Sequence, residues 1–458
     1  NILYDLYDAC LERMEQFVES SPPTKGGYPP YKKFREELEA VERHPNRSYF
    51  IYKSIILDNL YGVDIMDEAV EICKLRLFLK LASQLERADQ IEPLPDIDFN
   101  IRAGNTLIGY TSMAEVRKAT ETKGFDFDDR AGQIAAAAQD LDAAFRLFRE
   151  QQTKLHGTIG PDHKAELRER LAALEAQLDR FLANDYGIET GDDLATSASF
   201  VAWKSSHKPF HWLIEFFGII SAGGFDAVVG NLPYLETREV DYLPRGFATL
   251  ESRAIHALFI ERSDALLAEN GGTSMILPMS LISTARMKAV QEIIERGHET
   301  WYSNFAWRPA KLFDTVNRAL TIYVANPTGR SAVHTTGYIK WTANARDQIV
   351  PNLAYVSVAP ERTSFWVPKF QHPIELQLLA KMLKQPLTME HVWGTGGEQV
   401  YYRTTGGLYW KVFTINRPRF FVNGVAGSSS RETRLPLRAG FDPRIIVAIL
   451  SSTTFWWW

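Results

Sequence analysis

The sequence predicts an α/β fold: a parallel sheet with covering helices, interrupted by a helical hairpin and followed by a region of different texture. Three observations carry this. "NLYGVDI" (59–65), "MDEAVEICKLRLFLKLAS" and "DFNIRAGNTLIG" (98–109) read as strand, helix and strand at the spacing of a βαβ unit. Strand–helix alternation returns after Phe210 and runs to about 327. Between the two, apolar residues recur at steps of three and four.

Taken in order, residues 1–20 form an amphipathic helix, and "SSPPTKGGYPPY" after it is a Pro- and Gly-rich loop. Strand 59–65 ends in an acid, Asp64. In the helix that follows, Asp67 suits the N-cap, Glu68 suits the helix N-terminus, and Ala69, Ile72, Cys73 and Leu77 share one face. Ile134, Ala138, Leu141, Phe145 and Phe148, then Leu167, Leu171, Leu174, Leu178 and Phe181, form two helices around the turn "HGTIGPDHK". Such an insert either packs its leucines on each other or reaches out to grip DNA or a partner; the packing reading is favoured. "FDAVVG", "GGTSMILP", "TWYSNFAW" and "RALTIYVAN" are strands, the last of the series, and "AIHALFIERSDALLAEN" and "RMKAVQEIIERG" are helices. The predicted divisions are 1–110, a hairpin insertion over 111–199, 200–334, and 335–458.

Composition narrows the function. A 45% hydrophobic, 23% charged chain of 458 residues is globular, with two or three units. Two cysteines, Cys10 and Cys73, provide neither a disulfide framework nor a zinc cluster, which suits the cytoplasm. No metal site is expected. A net charge of −5 confines any nucleic-acid surface to a local patch. The apolar run from Ile445 is 14 residues, shorter than the roughly 20 a membrane helix needs, so no membrane is expected. Both ends read as cut: the chain opens inside a helical pattern and stops on Trp456, Trp457 and Trp458.

The chemistry concentrates in "FDAVVGNLPYLETREV" (225–240). Ligands in open α/β sheets bind at the carboxyl ends of strands, where Asp64, Asn105 and Asn231 all fall. A purine amine is a poor nucleophile because its lone pair is delocalised into the ring. Two acceptors on its hydrogens draw it towards tetrahedral geometry. Asn231 can supply a side-chain oxygen and Leu232 a backbone carbonyl; Pro233 stiffens the turn, and Tyr234 can stack on a base that has left its duplex.

"GGFDAVVGNLPY" resembles the Asn-Pro-Pro-Tyr motif of S-adenosylmethionine-dependent N6-adenine DNA methyltransferases. "LYGVDIMDEAVEICKLRL" and "RAGNTLIG" are similar to their cofactor segments, and "LFDTVNRALTIYV" to the late strand that walls in the base. Segment order matches the gamma arrangement of restriction–modification methylases. The likeness implies a Rossmann-like class I methyltransferase sheet and, at the C-terminus, the start of a target-recognition domain. It also implies S-adenosylmethionine as cofactor and double-stranded DNA as partner, with restriction or defence components fused or associated.

By that resemblance, Asp64 holds the cofactor's ribose hydroxyls, Ile65 lies against its adenine, Asn105 touches the adenine amine, and Leu107 is a further cofactor-binding residue. Asn231, Leu232, Pro233 and Tyr234 hold the target base and Phe313 closes its edge. Two departures stand out. Leu232 replaces a proline, which frees φ and weakens the hold on the amine. No strand followed by a glycine-rich loop precedes Asp64, so the sheet is expected to lack its first strand and this chain to show no detectable cofactor binding by itself.

Between Arg403 and Arg444, eight basic residues stand against Glu432 and Asp442, a local excess of six, interleaved with aromatic rings. Arg403, Lys411, Arg417 and Arg419 are the candidate DNA contacts. Two alternatives share these features: a non-catalytic DNA-binding module on a degenerate methyltransferase fold, and a protein glutamine methyltransferase, whose amide nitrogen poses the same chemical problem. The basic region and the long insert weigh against the second.

Overall fold

The computed structural model describes residues 2–20, 31–87, 92–121, 128–154, 161–188, 197–358, 365–403, 413–427 and 429–457. The chain forms two compact units, residues 1–372 and 373–458.

In the first unit, α1 (Ile2–Ser20), α2 (Lys32–Arg43) and α3 (Arg47–Asp58) precede the sheet. Leu11, Val41, Phe50, Ile51 and Ile55 pack them together. Asn46 starts α3 by accepting the Tyr49 N–H on its side chain. β1 (Gly62–Asp64), α4 (Asp67–Ala82) and β2 (Ile101–Ala103) form the predicted βαβ unit, with β1 and β2 parallel. The N-cap of α4 lies one residue earlier than expected: Met66 is the cap, Asp67 is the first helical residue, and the Asp64 carboxylate accepts the Met66 N–H at 2.8 Å. Its buried face differs too. Val70, Cys73 and Leu77 pack inward, whereas Ile72 turns to solvent.

The insert comprises α5 (Met113–Glu121), α6 (Asp128–Lys154) and α7 (Pro161–Asp185). Its predicted seam is buried, but it does not close on itself. Ile134 to Phe148 and Leu167 to Leu178 join one core with Ile108 and Tyr110 from the β2 loop, and with Phe200, Trp203, Leu213 and Ile214. Those last four belong to α8 (Ala198–His207) and α9 (Trp212–Glu215), which with α10 (Phe217–Ser221) lead into the main sheet.

That sheet has β3 (Phe225–Asn231), β4 (Leu267–Pro278), β5 (His298–Phe305), β6 (Leu320–Pro327), β7 (Ala332–Ile339) and β8 (Val356–Val358), in the order β3-β4-β6-β5-β7-β8. It is mixed rather than parallel: β3–β4 and β5–β7 run parallel, and β4–β6, β5–β6 and β7–β8 antiparallel. α11 (Ile255–Leu266) and α12 (Lys288–Glu295) are the expected helices, but Leu267–Asn270 leaves the helical pattern early to start β4. The boundary predicted near 335 falls inside β7. The aromatic, Arg- and Gly-rich region from about 335 reads as a new domain, yet β7 pairs with the β5 edge and β8 with β7, which extends this sheet. β3 is its other edge, and Val229 in mid-strand is 78% exposed. Among the described residues, β3 shares no ladder with the β1–β2 pair.

The second unit contains α13 (Ile374–Leu383), α14 (Met389–Val392), β9 (Gly396–Arg403), β10 (Phe413–Thr414), β11 (Phe420–Val422), β12 (Val425–Gly427), β13 (Glu432–Arg438), α15 (Pro443–Leu450) and α16 (Thr453–Trp457). β10, β9 and β13 form an antiparallel sheet over Val400, Leu437, Ile446 and Leu450. β11 and β12 make a hairpin turned at Asn423 and Gly424, both with positive φ. Among the described residues no helix is long and apolar enough to cross a membrane.

Candidate active site

A crevice of about 790 Å³ lies between β1 and β3, at their carboxyl ends. Asp64, Ile65, Asn105, Asn231, Leu232, Pro233 and Tyr234 line it together, with Trp212, Phe259, Ser263 and Met275. Two expected residues are elsewhere. Leu107 is buried in the core against Phe247, Ile255 and Leu258, one residue too deep in its loop to reach the crevice. Phe313 is 38% exposed and is not among the lining residues.

β3 delivers Asn231 to the rim. A side chain at Gly230 would meet the Met275 sulfur at 2.9 Å and Leu232 Cδ2 at 3.1 Å, so the strand end needs a glycine. Leu232 turns its side chain inward and is buried, which gives the leucine a packing role that proline would fill differently. The Tyr234 hydroxyl donates to Asn231 Oδ1 at 3.3 Å. Burial pushes that hydroxyl up from its ordinary pKa, against the Arg318 guanidinium, which stands 5.9 Å from the ring centroid. Beyond Tyr234 the chain is pinned. Ile255 N–H donates to the Leu235 carbonyl at 3.0 Å, Thr237 N–H to the Arg253 carbonyl at 3.1 Å, and Glu236 and Glu239 close a capping box.

On the opposite wall, Asp64 Oδ1 is taken by the Met66 N–H, and the Asp64 carbonyl accepts the Gly104 N–H at 2.8 Å. Asn105 is 1% exposed. Its Oδ1 accepts the Leu107 N–H at 3.1 Å, which fixes the amide orientation and leaves Nδ2 a buried donor with no partner among the described residues. The Asn105 loop is stitched to residues 208–213. Asn105 N–H donates to the Lys208 carbonyl at 2.8 Å, Phe210 N–H to the Ile108 carbonyl at 2.7 Å, and Leu213 N–H to the Tyr110 carbonyl at 3.1 Å. A Cβ at Gly104 would lie 2.7 Å from the Phe210 ring, and one at Gly109 2.0 Å from the Phe210 carbonyl oxygen.

The sequence reading missed what holds that stitch. His211 Nδ1 faces the Tyr110 N–H at 3.3 Å, and its Nε2 meets Asp179 Oδ1 of α7 at 3.1 Å. Lys204 reaches the same carboxylate at 2.5 Å. Nearby, Arg102 of β2 pairs with Glu215 at 3.0 Å and Glu175 at 3.3 Å. Burial pushes the Glu215 carboxyl well up, with Arg102 opposing. Asp98 accepts Lys74 at 2.7 Å, Lys164 at 2.6 Å and Arg168 at 2.5 Å. Burial acts to raise Asp98, but Lys164 and Lys74 outweigh it and hold its carboxyl at about 2. No sequence period marks these contacts, because their partners lie 24 to 113 residues apart.

In the second unit Arg403 and Arg419 are exposed, and Lys411 lies outside the described residues. Arg417 leans on Glu432 at 3.5 Å, and Arg444 forms a fork on Asp442 with a closest approach of 2.7 Å. Part of the basic excess is thus locally neutralised. Among the described residues no group of His, Cys, Asp and Glu side chains is placed to hold a metal ion.

Residues 58–313, from the end of α3 past the Asn231–Tyr234 loop, match the family model of the Eco57I restriction-modification methylases. The chain belongs to that family. A curated relative from Methanocaldococcus jannaschii, RM.MjaORFECS2P, whose name joins restriction enzyme and methyltransferase, is 30% identical over 276 residues. That alignment covers 50% of this methylase chain and 23% of the relative, so the chain spans under a quarter of the relative's length. Two solved structures are more distant. The type ISP restriction-modification enzyme LlaGI, in complex with a DNA substrate mimic, is 11% identical with a TM-score of 0.26, over 78% of this chain and 43% of its own. The DrdV–DNA complex is 11% identical with a TM-score of 0.27, over 79% and 44%. At those scores the likeness carries no argument.

Proposed function

We propose that this methylase transfers a methyl group from S-adenosylmethionine to N6 of adenine in double-stranded DNA, as the modifying arm of a restriction–modification or related defence system. One observation carries the reading: the Asn231–Tyr234 loop shares a single crevice with Asp64 and Asn105.

The residues present fit the cofactor. Asp64 has a carboxylate oxygen beyond the one taken by Met66, suited to ribose hydroxyls. Ile65, Trp212 and Leu266 offer apolar surface. The unpartnered Asn105 Nδ2 is a donor, so it would serve a ring nitrogen of the adenine rather than its amine, which needs an acceptor. When bound, S-adenosylmethionine supplies an electrophilic methyl group on a sulfonium centre.

The chain's own part is to prepare the nucleophile. Asn231 Oδ1 and the Leu232 carbonyl accept the two amine hydrogens and turn the nitrogen lone pair outward. The Tyr234 hydroxyl, which holds Asn231 Oδ1 meanwhile, gives way to the amine, and the ring stacks on the extruded base. The exposed Arg403 and Arg419 of the second unit contact backbone phosphates.

Methylation-sensitive sequencing of a host carrying the intact gene tests this. N6-methyladenine at one defined motif is expected, with Asn231→Ala reducing it by about 100-fold or more, the scale of losing one pre-placed polar group at a reacting centre. A host with no methylated adenine, or a mark that survives Asn231→Ala, rules the reading out.

A further inference from the structure

The crevice-lining face of α11 carries Phe259, Ser263 and Leu266, at steps of four and three. One turn toward the N-terminus on the same face is His256. It is 4% exposed, and neither ring nitrogen has a partner among the described residues. Buried imidazoles are ordinarily satisfied, so this one marks a place where another group belongs. Burial, then the charges of Arg286 and Arg318, hold His256 at about 4, so it is neutral at physiological pH.

The two arginines carry charge to spare. Among the described carboxylates Arg286 pairs only with Glu236, at 3.4 Å, and Arg238 shares that carboxylate at 3.0 Å. Arg318 is exposed, sits over the Tyr234 ring, and forms no ion pair with a described carboxylate. α11 adds the positive end of a twelve-residue helix. One unpaired and one partly compensated guanidinium, a helix N-terminus and a buried hydrogen-bonding ring together suit an anion.

We propose that Arg286 and Arg318, with His256 and the start of α11 behind them, form a clamp for one backbone phosphate of the strand that bears the target base. This rests on the function proposed above and adds a contact to it. A strand that places a base on Tyr234 must carry its flanking phosphates past that ring, within reach of Arg318. The guanidinium fork matches phosphate oxygens.

The test measures binding of the intact chain to a single-stranded oligonucleotide containing one adenine. The flanking phosphates are replaced one at a time by neutral methylphosphonate. At one flanking position the wild type should lose about tenfold in affinity, whereas the Arg286→Gln/Arg318→Gln double variant should lose almost nothing further. Arg330→Gln, in the exposed turn before β7, should behave as wild type. Losses that multiply independently, no loss at either position, or no oligonucleotide binding by the wild type each overturn the clamp. A coupled loss without any preference for adenine over other bases keeps the clamp and removes the adenine reading. Adenine methylation without coupling does the reverse.

Discussion

The two walls of the crevice are supported in opposite ways. The Asn231 wall stands on a six-stranded sheet, where β3 pairs with a twelve-residue β4 and the loop beyond it is pinned to α11. The Asp64–Asn105 wall has two strands of three residues each. Backbone ladders that short hold little. Its rigidity comes from the inserted hairpin, whose α7 carboxylates anchor His211, Lys204 and Arg102 behind the Asn105 loop. A hairpin that sequence alone could make into a DNA arm is here a buttress for the proposed cofactor pocket.

Removing the buttress should show the largest effect. Asp179 and His211 are both almost wholly buried, so Asp179→Ala leaves His211 and Lys204 without their shared carboxylate and should cost about 3 kcal/mol. Hydrogen exchange at the Asn105, Phe210 and Leu213 amides should rise, while β3 and β4 amides keep their relative protection. Equal loosening of both walls would mean they form one cooperative block.

A smaller effect is expected from acid. Asp98 has a folded pKa of about 2, below its ordinary value of 3.8. Its folded form therefore binds fewer protons than the unfolded chain across that window. The stability it contributes is present above about 4 and is lost as pH falls toward 2. Asp98→Asn should lower stability at neutral pH and flatten the acid limb between pH 4 and 2, as followed by thermal melting against pH. A variant whose acid limb matches wild type would show that Asp98 does not fasten the hairpin.

The smallest change concerns the other wall. Leu232→Pro would fix φ beside the amine-holding carbonyl but remove a buried side chain that packs over Gly230. A few-fold rise in single-turnover methyl transfer is expected, with a melting temperature slightly reduced. A lower rate would mean that the buried leucine positions the carbonyl better than a second proline does.

The sequence by itself determined the βαβ unit, the helical seam and the Asn231–Tyr234 loop. Each is written in local periodicity or in adjacent residues whose chemistry is complete within four positions. It misplaced what depends on partners far along the chain. The region from about 335 could not be assigned to its sheet, because the pairing of β7 with β5 has no local signature. Leu107 and Asn105 are two residues apart, yet one belongs to the core and the other to the crevice, a choice made by the contacts of Phe210 and Phe247. The Asp179–His211 support and the unmet nitrogens of His256 and Asn105 are likewise facts of packing. Whether a polar group finds a partner is decided only when distant segments meet, and that meeting is what the tertiary structure supplied.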